Sequence, residues 1–186
     1  MNPFQNLKKN FTSTEQKKRE LQNVSSEAQR LAKQSIFSAH REELEKSQKL
    51  LKESLKKLEG GRRILKTHPM LDNEGMWRSA LEEFYEAKFF LNTVNNHSPF
   101  TSSDFKEEPS IIIGALSDLT GEMARFAVRK ATLGDKVSVE RLFKSAENMV
   151  AFLMSLDSTG YLRTKTDQAK QHLRRLEELR YDISKK

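Results

Sequence analysis

The chain has 186 residues, 33 of them lysine or arginine and 26 aspartate or glutamate, and its formal net charge is +7. It contains no cysteine, which excludes disulfides and thiolate metal sites and is compatible with a reducing cytoplasm, the location we expect. No apolar run approaches the roughly 18 residues of a transmembrane helix, and the first residues lack a signal-peptide core, so no contact with a membrane is predicted.

The charge is distributed unevenly along the chain. Residues 1–68 have a net charge of +8, residues 69–160 have −5, and residues 161–186 have +4. An acidic centre between basic ends is typical of a protein that attracts a polyanion and binds a metal ion at one place. The alternative is that lysine-rich helices simply have solvated faces.

The composition favours an all-α protein, because there are only seven glycines and four prolines and few runs of β-branched residues. Residues 4–59 contain neither glycine nor proline, which predicts one very long helix or two helices with a break near residue 40. We expect the glycine pair at 60–61 to end this regular stretch, with residues 62–66 as a candidate further turn. His68 then closes the region, because a residue before a proline avoids the α conformation.

The next helix is expected to be capped by Asp72 or Asn73 and to run to about Val94. One stripe of this helix is apolar. Glu83 and Glu86, three residues apart, fall together on another flank. The helix therefore presents a pair of neighbouring carboxylates.

After a loop at residues 95–103, the pattern predicts a central helix over residues 111–130 with one apolar face. The opposite face carries a row of charged residues spaced four, three and four apart, namely Asp118, Glu122, Arg125 and Arg129. Gly121 lies within this helix, where glycine costs about 1 kcal/mol relative to alanine. This cost predicts that another backbone packs closely beside the acids.

Two carboxylates one turn apart can hold a divalent cation, and arginines further along the same row can hold an anion. Helical bundles build metal sites from side chains on facing helices, so the acids of the two helices are candidates for one site. The alternative is that they form ordinary salt bridges with Arg125, Arg129 and Lys88.

Two more helices are expected in the C-terminal part of the chain. One is capped by Ser138 and runs through Met154, and the other follows a turn at residues 158–160. The four histidines show no metal-ligand spacing, and the motifs of serine hydrolases, P-loop NTPases and dinucleotide-binding enzymes are absent from the sequence.

The central helix contains the run Asp118-Leu119-Thr120-Gly121-Glu122-Met123-Ala124-Arg125. This run resembles the central motif of the translin family and is more similar to translin-associated factor X than to translin. Residues 81–87 resemble the Glu-x-x-Glu-Ala helix of that family, residues 32–41 the end of its first helix, and residues 173–184 its last helix. The resemblance extends from about residue 15 to residue 184.

The resemblance implies an antiparallel all-α bundle of six to seven helices, with residues 1–186 forming a single domain. It also implies hollow, barrel-like oligomers, octameric or hexameric, that bind single-stranded RNA and DNA. We expect a single-chain member of the kind found in archaea and bacteria, which would be a homo-oligomer.

In factor X, four acids are implicated in magnesium-dependent RNA cleavage, and the matching residues here are Glu83, Glu86, Asp118 and Glu122. The resemblance therefore implies an endoribonuclease that uses Mg²⁺ or Mn²⁺. Candidate contacts to the nucleic acid are Arg125, Arg129, Lys130, Arg30, Lys33, Arg41, Arg62, Arg63, Arg163 and Lys165. The alternatives are a binding protein without catalysis and a helical scaffold whose long N-terminal helix only assembles subunits.

Overall fold

The computed structural model describes residues 2–185, which form six α-helices and two short 3-10 turns, with no strand among them. The helices are α1 (Pro3–His40), α2 (Leu44–Thr67), α3 (Gly75–Val94), α4 (Pro109–Thr132), α5 (Lys136–Ser155) and α6 (Gly160–Ser184), and the 3-10 turns are Pro69–Leu71 and Asp104–Lys106. The predicted all-α fold is confirmed. Across residues 2–185, none of the helices has the length and apolar character needed to span a membrane.

The chain divides into two compact units, and the boundary falls inside α3. The N-terminal unit ends at Ala87, and the C-terminal unit begins at Lys88. The assignment of the whole chain to a single domain stays a prediction.

The N-terminal unit is built on an antiparallel hairpin of α1 and α2. Of the two predicted alternatives, two helices with a break near residue 40 is the correct one, since α1 ends at His40 and α2 begins at Leu44. Serines lie at the contact between the helices: the Ser35 hydroxyl donates to the Ser47 carbonyl at 2.9 Å, and the Ser54 hydroxyl donates to the Ala28 carbonyl at 2.8 Å. Small side chains allow the two helices to approach, and these hydrogen bonds satisfy the buried hydroxyl groups.

The glycine pair does not end a helix, so that prediction is wrong. Helix α2 continues through both glycines to Thr67 and ends before His68 and Pro69, as expected. The second glycine is needed for packing, because a Cβ atom at Gly61 would lie 2.3 Å from Cζ3 of the buried Trp77 ring. At Gly60 the nearest atom would be the Arg63 guanidinium at 3.7 Å, an ordinary contact.

Two of the predicted helix caps are also wrong. Asp72 ends the 3-10 turn Pro69–Leu71, and α3 begins only at Gly75. At the start of α5, the side chain of Asp135 accepts a hydrogen bond from the backbone N–H of Ser138 at 2.9 Å. Asp135 is therefore the cap, and Ser138 supplies one of the backbone donors that a helix N-terminus leaves unsatisfied.

In the C-terminal unit, α4, α5 and α6 pack against one another. Helix α4 ends in a turn, where Gly134 has a φ of 77°. Buried side chains of α5, among them Val150 and Leu153, pack on Ala169 of α6. This arrangement leaves α5 antiparallel to both neighbours and brings α4 and α6 side by side in the same direction.

The loop before α4 is fastened to α3 by Asp104, whose side chain is only 3% exposed. The carboxylate accepts hydrogen bonds from the Lys88 ammonium group and from the backbone N–H and hydroxyl of Thr101, at 2.8 and 2.9 Å for the two Thr101 bonds. Burial by itself raises the pKa of Asp104, but these hydrogen bonds and the positive charge of Lys88 outweigh it, so the pKa is lowered. The carboxylate is therefore ionised at neutral pH.

We expect Asp104→Asn to lower the free energy of unfolding by about 2 kcal/mol at pH 7, because Lys88 loses a charged partner in a buried position. A carboxylate with a lowered folded-state pKa stabilises the fold above its unfolded pKa, and this contribution is lost as the pH falls through the folded pKa. Urea unfolding at pH 7 and at several lower values should therefore show the difference from wild type shrinking below about pH 4. A difference that does not change with pH would contradict an ionic contribution from Asp104.

Candidate metal and nucleic-acid site

The predicted row on α4 brings two carboxylates to the edge of the helix that faces α6. Asp118 forms an ion pair with Lys165 of α6, and its side chain is 28% exposed. Both carboxylate oxygens of Glu122, which is 15% exposed, accept hydrogen bonds from the Arg125 guanidinium at 2.9 and 3.0 Å. Solvent and ions can therefore reach both carboxylates, and each has a basic side chain beside it.

The group that approaches Gly121 is a side chain and not a backbone, so the prediction of a close backbone is wrong. A Cβ atom at Gly121 would lie 2.9 Å from Cε1 of His172 on α6. The imidazole ring thus fills the space that a side chain at position 121 would occupy. Position 121 lies between Asp118 and Glu122 in the sequence.

His172 was not identified from the sequence, although the glycine within α4 was a signal that something lies close to it. Thr120 has one hydroxyl hydrogen and donates it to the Ser117 carbonyl at 2.6 Å. The 3.0 Å contact between Thr120 and Nδ1 of His172 therefore has the imidazole as donor. Burial, and secondly the charge of Arg175, lower the pKa of His172 against an opposing effect of Glu122, so the ring is neutral at pH 7.

The acids of α3 belong to the N-terminal unit. The Glu83 carboxylate lies 3.6 Å from the ammonium group of Lys33 on α1. Glu86 is buried, at 8% exposure. Lys33, a predicted contact to nucleic acid, therefore lies next to one of the predicted metal ligands in this unit.

The salt-bridge alternative accounts for part of this arrangement. Glu122 is paired with Arg125, as that alternative expects. Lys88 is instead paired with Asp104 in the loop before α4. Asp118 is paired with Lys165 of α6, which lies 47 residues later in the sequence.

The donor chemistry of the α4 pair fits a hard divalent cation. Among residues 2–185, no group of three or more histidine, aspartate or glutamate side chains is arranged to hold a metal ion. Mg²⁺ usually binds through one or two carboxylates and completes its octahedron with water and substrate phosphate oxygens. Asp118 and Glu122 can supply these two carboxylates, whereas the set of four acids stays a prediction.

The remaining basic candidates have different surroundings. Arg30 and Lys33 are exposed on one face of α1, and Arg129 is exposed on α4. The Arg41 guanidinium donates to Glu43 at 2.6 Å, and it lies 5.8 Å from the centroid of the Phe37 ring.

Arg163 and Lys130 lie in more structured surroundings. Arg163 lines a cavity of about 300 Å³ at the start of α6, together with Lys170. The Lys130 ammonium group is 4.0 Å from the Asp135 carboxylate and 5.1 Å from the centroid of the Phe126 ring. Their role in binding nucleic acid stays a prediction.

The solved structures that share this fold include the following three. The crystal structure of apo-NeC3PO matches with a TM-score of 0.88 at 20% sequence identity, and the match covers 98% of this chain and 98% of that chain. The complex of AfC3PO with duplex RNA has a TM-score of 0.85 at 23% identity, with 97% of this chain and 96% of that chain covered. AfC3PO in a further crystal structure gives 0.83 at 25% identity, with the same coverage.

No curated protein sequence matches the chain significantly. The sequence profile of the translin family matches residues 6–185, which is nearly the whole chain. The fold agrees with this match, and the motif around Gly121 lies within the matched residues. The chain belongs to the translin family.

Proposed function

We propose that this protein binds single-stranded RNA and DNA and cleaves RNA with the help of Mg²⁺ or Mn²⁺. The observation that carries the proposal is the α4 row, where two accessible carboxylates lie one turn apart with Lys165 and Arg125 beside them. Membership of the translin family supports it. So does the fact that AfC3PO, which has the same fold, was solved in complex with duplex RNA.

Asp118 and Glu122 would hold the divalent ion through their carboxylate oxygens. When bound, such an ion polarises a phosphoryl oxygen and lowers the pKa of its bound water to produce a nucleophile. Arg125 can bind a phosphate with two parallel hydrogen bonds, and Lys165 can bind one as a point charge. The resemblance assigns Glu83 and Glu86 of α3 to the same reaction.

A second candidate function is binding of nucleic acid without cleavage. It is favoured by the ion pairs at Asp118, Glu122 and Glu83, since each carboxylate has a basic partner that balances its charge without a metal ion. On this reading the acids only position the basic side chains that contact the strand.

The deciding experiment is incubation of the purified protein with end-labelled single-stranded RNA in Mg²⁺, in Mn²⁺ and in EDTA, with duplex RNA and single-stranded DNA as comparison substrates. The proposal expects cleavage of single-stranded RNA that EDTA stops. It also expects the logarithm of the binding constant to fall linearly as the logarithm of the salt concentration rises. Tight binding with no cleavage under any metal condition would favour the second candidate.

Self-association is also part of the proposal. The first turns of α1 are exposed on every side, and Phe4, Leu7 and Phe11 form an apolar stripe with 79%, 67% and 65% exposure. A short stretch of helix with no packing partner is marginally stable in water. We therefore expect this stripe to pack against another copy of the chain in a homo-oligomer, octameric or hexameric as the resemblance implies.

We expect the double variant Leu7→Ser with Phe11→Ser to form smaller assemblies than wild type, because it removes most of the apolar stripe. Light scattering after size-exclusion chromatography measures the molar mass. Lys9→Ser, a change of an exposed residue on the same turns, is the matched control and should leave the mass unchanged. If the double variant keeps the wild-type mass, then the stripe is not the interface.

A further inference from the structure

An open groove runs along the face of α1 that points away from α2. Its volume is about 380 Å³, and it is lined by Ser26, Gln29, Arg30, Lys33, Gln34 and Phe37. The spacing of these residues places them on one face of the helix. The hairpin contact with α2 uses other positions, such as Ala28 and Ser35.

Phe37 lies at one end of the groove and is 60% exposed, although its neighbour Ile36 is buried. An exposed aromatic ring is not unusual by itself. The surroundings of this ring are more informative, because the Arg41 guanidinium lies 5.8 Å from its centroid and the other side chains that line the groove end in polar or charged groups. The ring therefore offers an accessible π-surface next to a cation.

The charged side chains that line the groove have one sign, because both of them, Arg30 and Lys33, are basic. Acidic residues flank this stretch of α1 at Glu27 and Glu43, outside the lining. The groove is therefore complementary to a polyanion. Gln29 and Gln34 each carry an amide that can donate and accept hydrogen bonds, as the edges of nucleobases require.

The groove also leads to one of the candidate catalytic acids. Lys33 lines the groove, and its ammonium group lies 3.6 Å from the Glu83 carboxylate. A strand lying in the groove would thus pass beside Glu83.

We propose that Phe37 is a stacking platform for a base of single-stranded nucleic acid, with Arg30 and Lys33 binding the adjoining phosphates. This inference rests on the proposed binding of single strands. Proteins that bind single strands combine a positive groove with aromatic rings on which bases stack. A second copy of the chain fits this surface less well, because the core of a subunit interface is depleted of charged residues and this lining includes Arg30 and Lys33.

The test is the affinity of the full-length protein for a single-stranded RNA in EDTA, measured by fluorescence anisotropy. Phe37→Ala should weaken binding roughly 5- to 150-fold, the range found when a stacking aromatic is removed, and Phe37→Trp should retain the affinity. Tyr181→Ala, which removes an equally exposed ring on α6, is the matched control and should change nothing.

An oligonucleotide that keeps its phosphates and has abasic positions separates stacking from electrostatics. Wild type should bind the abasic oligonucleotide more weakly than the intact RNA, by the same factor by which Phe37→Ala weakens binding of the intact RNA. The Phe37→Ala variant should bind the abasic and the intact oligonucleotide equally well. If Phe37→Ala binds intact RNA as tightly as wild type, the platform is refuted while the proposed binding function stands. If wild type does not bind single strands at all, both fail.

A lower molar mass of Phe37→Ala would overturn the proposal in another way. It would show that the face is a contact between copies of the chain. If Phe37→Ala weakens binding of the intact and the abasic oligonucleotide by the same factor relative to wild type, stacking is also refuted, because the loss does not depend on a base.

Discussion

Replacement of Asp118 by alanine is expected to reduce metal-dependent RNA cleavage about 100-fold or more, because it removes one of the two α4 carboxylates that can hold the ion. RNA affinity in EDTA should not fall. Lys165 loses the carboxylate that competes with a phosphate for its ammonium group, so the affinity should be equal or slightly tighter. A catalytic role of Asp118 predicts this combination, in which the cleavage rate falls and the affinity for RNA does not.

The measurement is the single-turnover cleavage rate of labelled RNA at saturating protein, with the affinity measured separately in EDTA. Asp118→Asn keeps the shape of the side chain and should lose the rate as alanine does. Asp182→Ala removes an exposed carboxylate elsewhere on the surface of α6 and serves as the matched control. An unchanged cleavage rate in both Asp118 variants would show that the α4 row is not the catalytic site.

The same assay can test the two pairs of acids separately. If Glu122→Ala behaves like Asp118→Ala while Glu83→Ala does not, then catalysis belongs to the α4 pair alone. Loss of cleavage in Glu83→Ala as well would support the set of four that the resemblance implies.

Replacement of Gly61 by alanine is expected to lower the free energy of unfolding by about 2 kcal/mol, since it forces a methyl group against a buried indole. The same change at Gly60 should raise it by about 1 kcal/mol, because alanine is the better helix former and meets only an ordinary contact there. Both glycines lie in α2, so the gain in helix propensity is shared. The difference between the two variants therefore measures the contact with Trp77.

Thermal unfolding followed by circular dichroism checks this pair of variants, and each kcal/mol corresponds to a shift of about 2 to 4 °C for a chain of this size. Trp77 is the one tryptophan of the chain, so its fluorescence reports directly on the strained contact. Combining Gly61→Ala with Trp77→Phe should recover part of the loss, because the smaller ring leaves room for the methyl group. Equal stabilities of the two single variants would refute the steric explanation.

Helix positions were largely predictable from the sequence because the information is local. The end of α2 before Pro69 and the loop at 95–103 follow from apolar periodicity and from residues that interrupt helices, whereas the sequence left open whether the chain breaks near residue 40. The row of Asp118 and Glu122 was predictable for the same reason, since the helical repeat alone places them one turn apart. The family resemblance rests on this same local run.

The roles of two glycines could not be predicted from local sequence information. The pair at 60–61 was expected to terminate a helix, yet Gly61 lies inside α2 because Trp77 of another helix takes the space of its side chain. At Gly121 the sequence indicated a close neighbour but not its identity, which is the imidazole of His172. In both cases the residue is explained by a group that is distant along the chain.

The sequence by itself determined that the protein is all-α, that carboxylate pairs lie on α3 and α4, and to which family the chain belongs. Only the tertiary structure decided that Lys165 pairs with Asp118, that Lys33 pairs with Glu83, and that a neutral His172 lies beside the acids. The physical reason is the range of the interactions involved. Helical periodicity acts over three or four residues, whereas ion pairs and side-chain contacts between helices depend on how those helices pack.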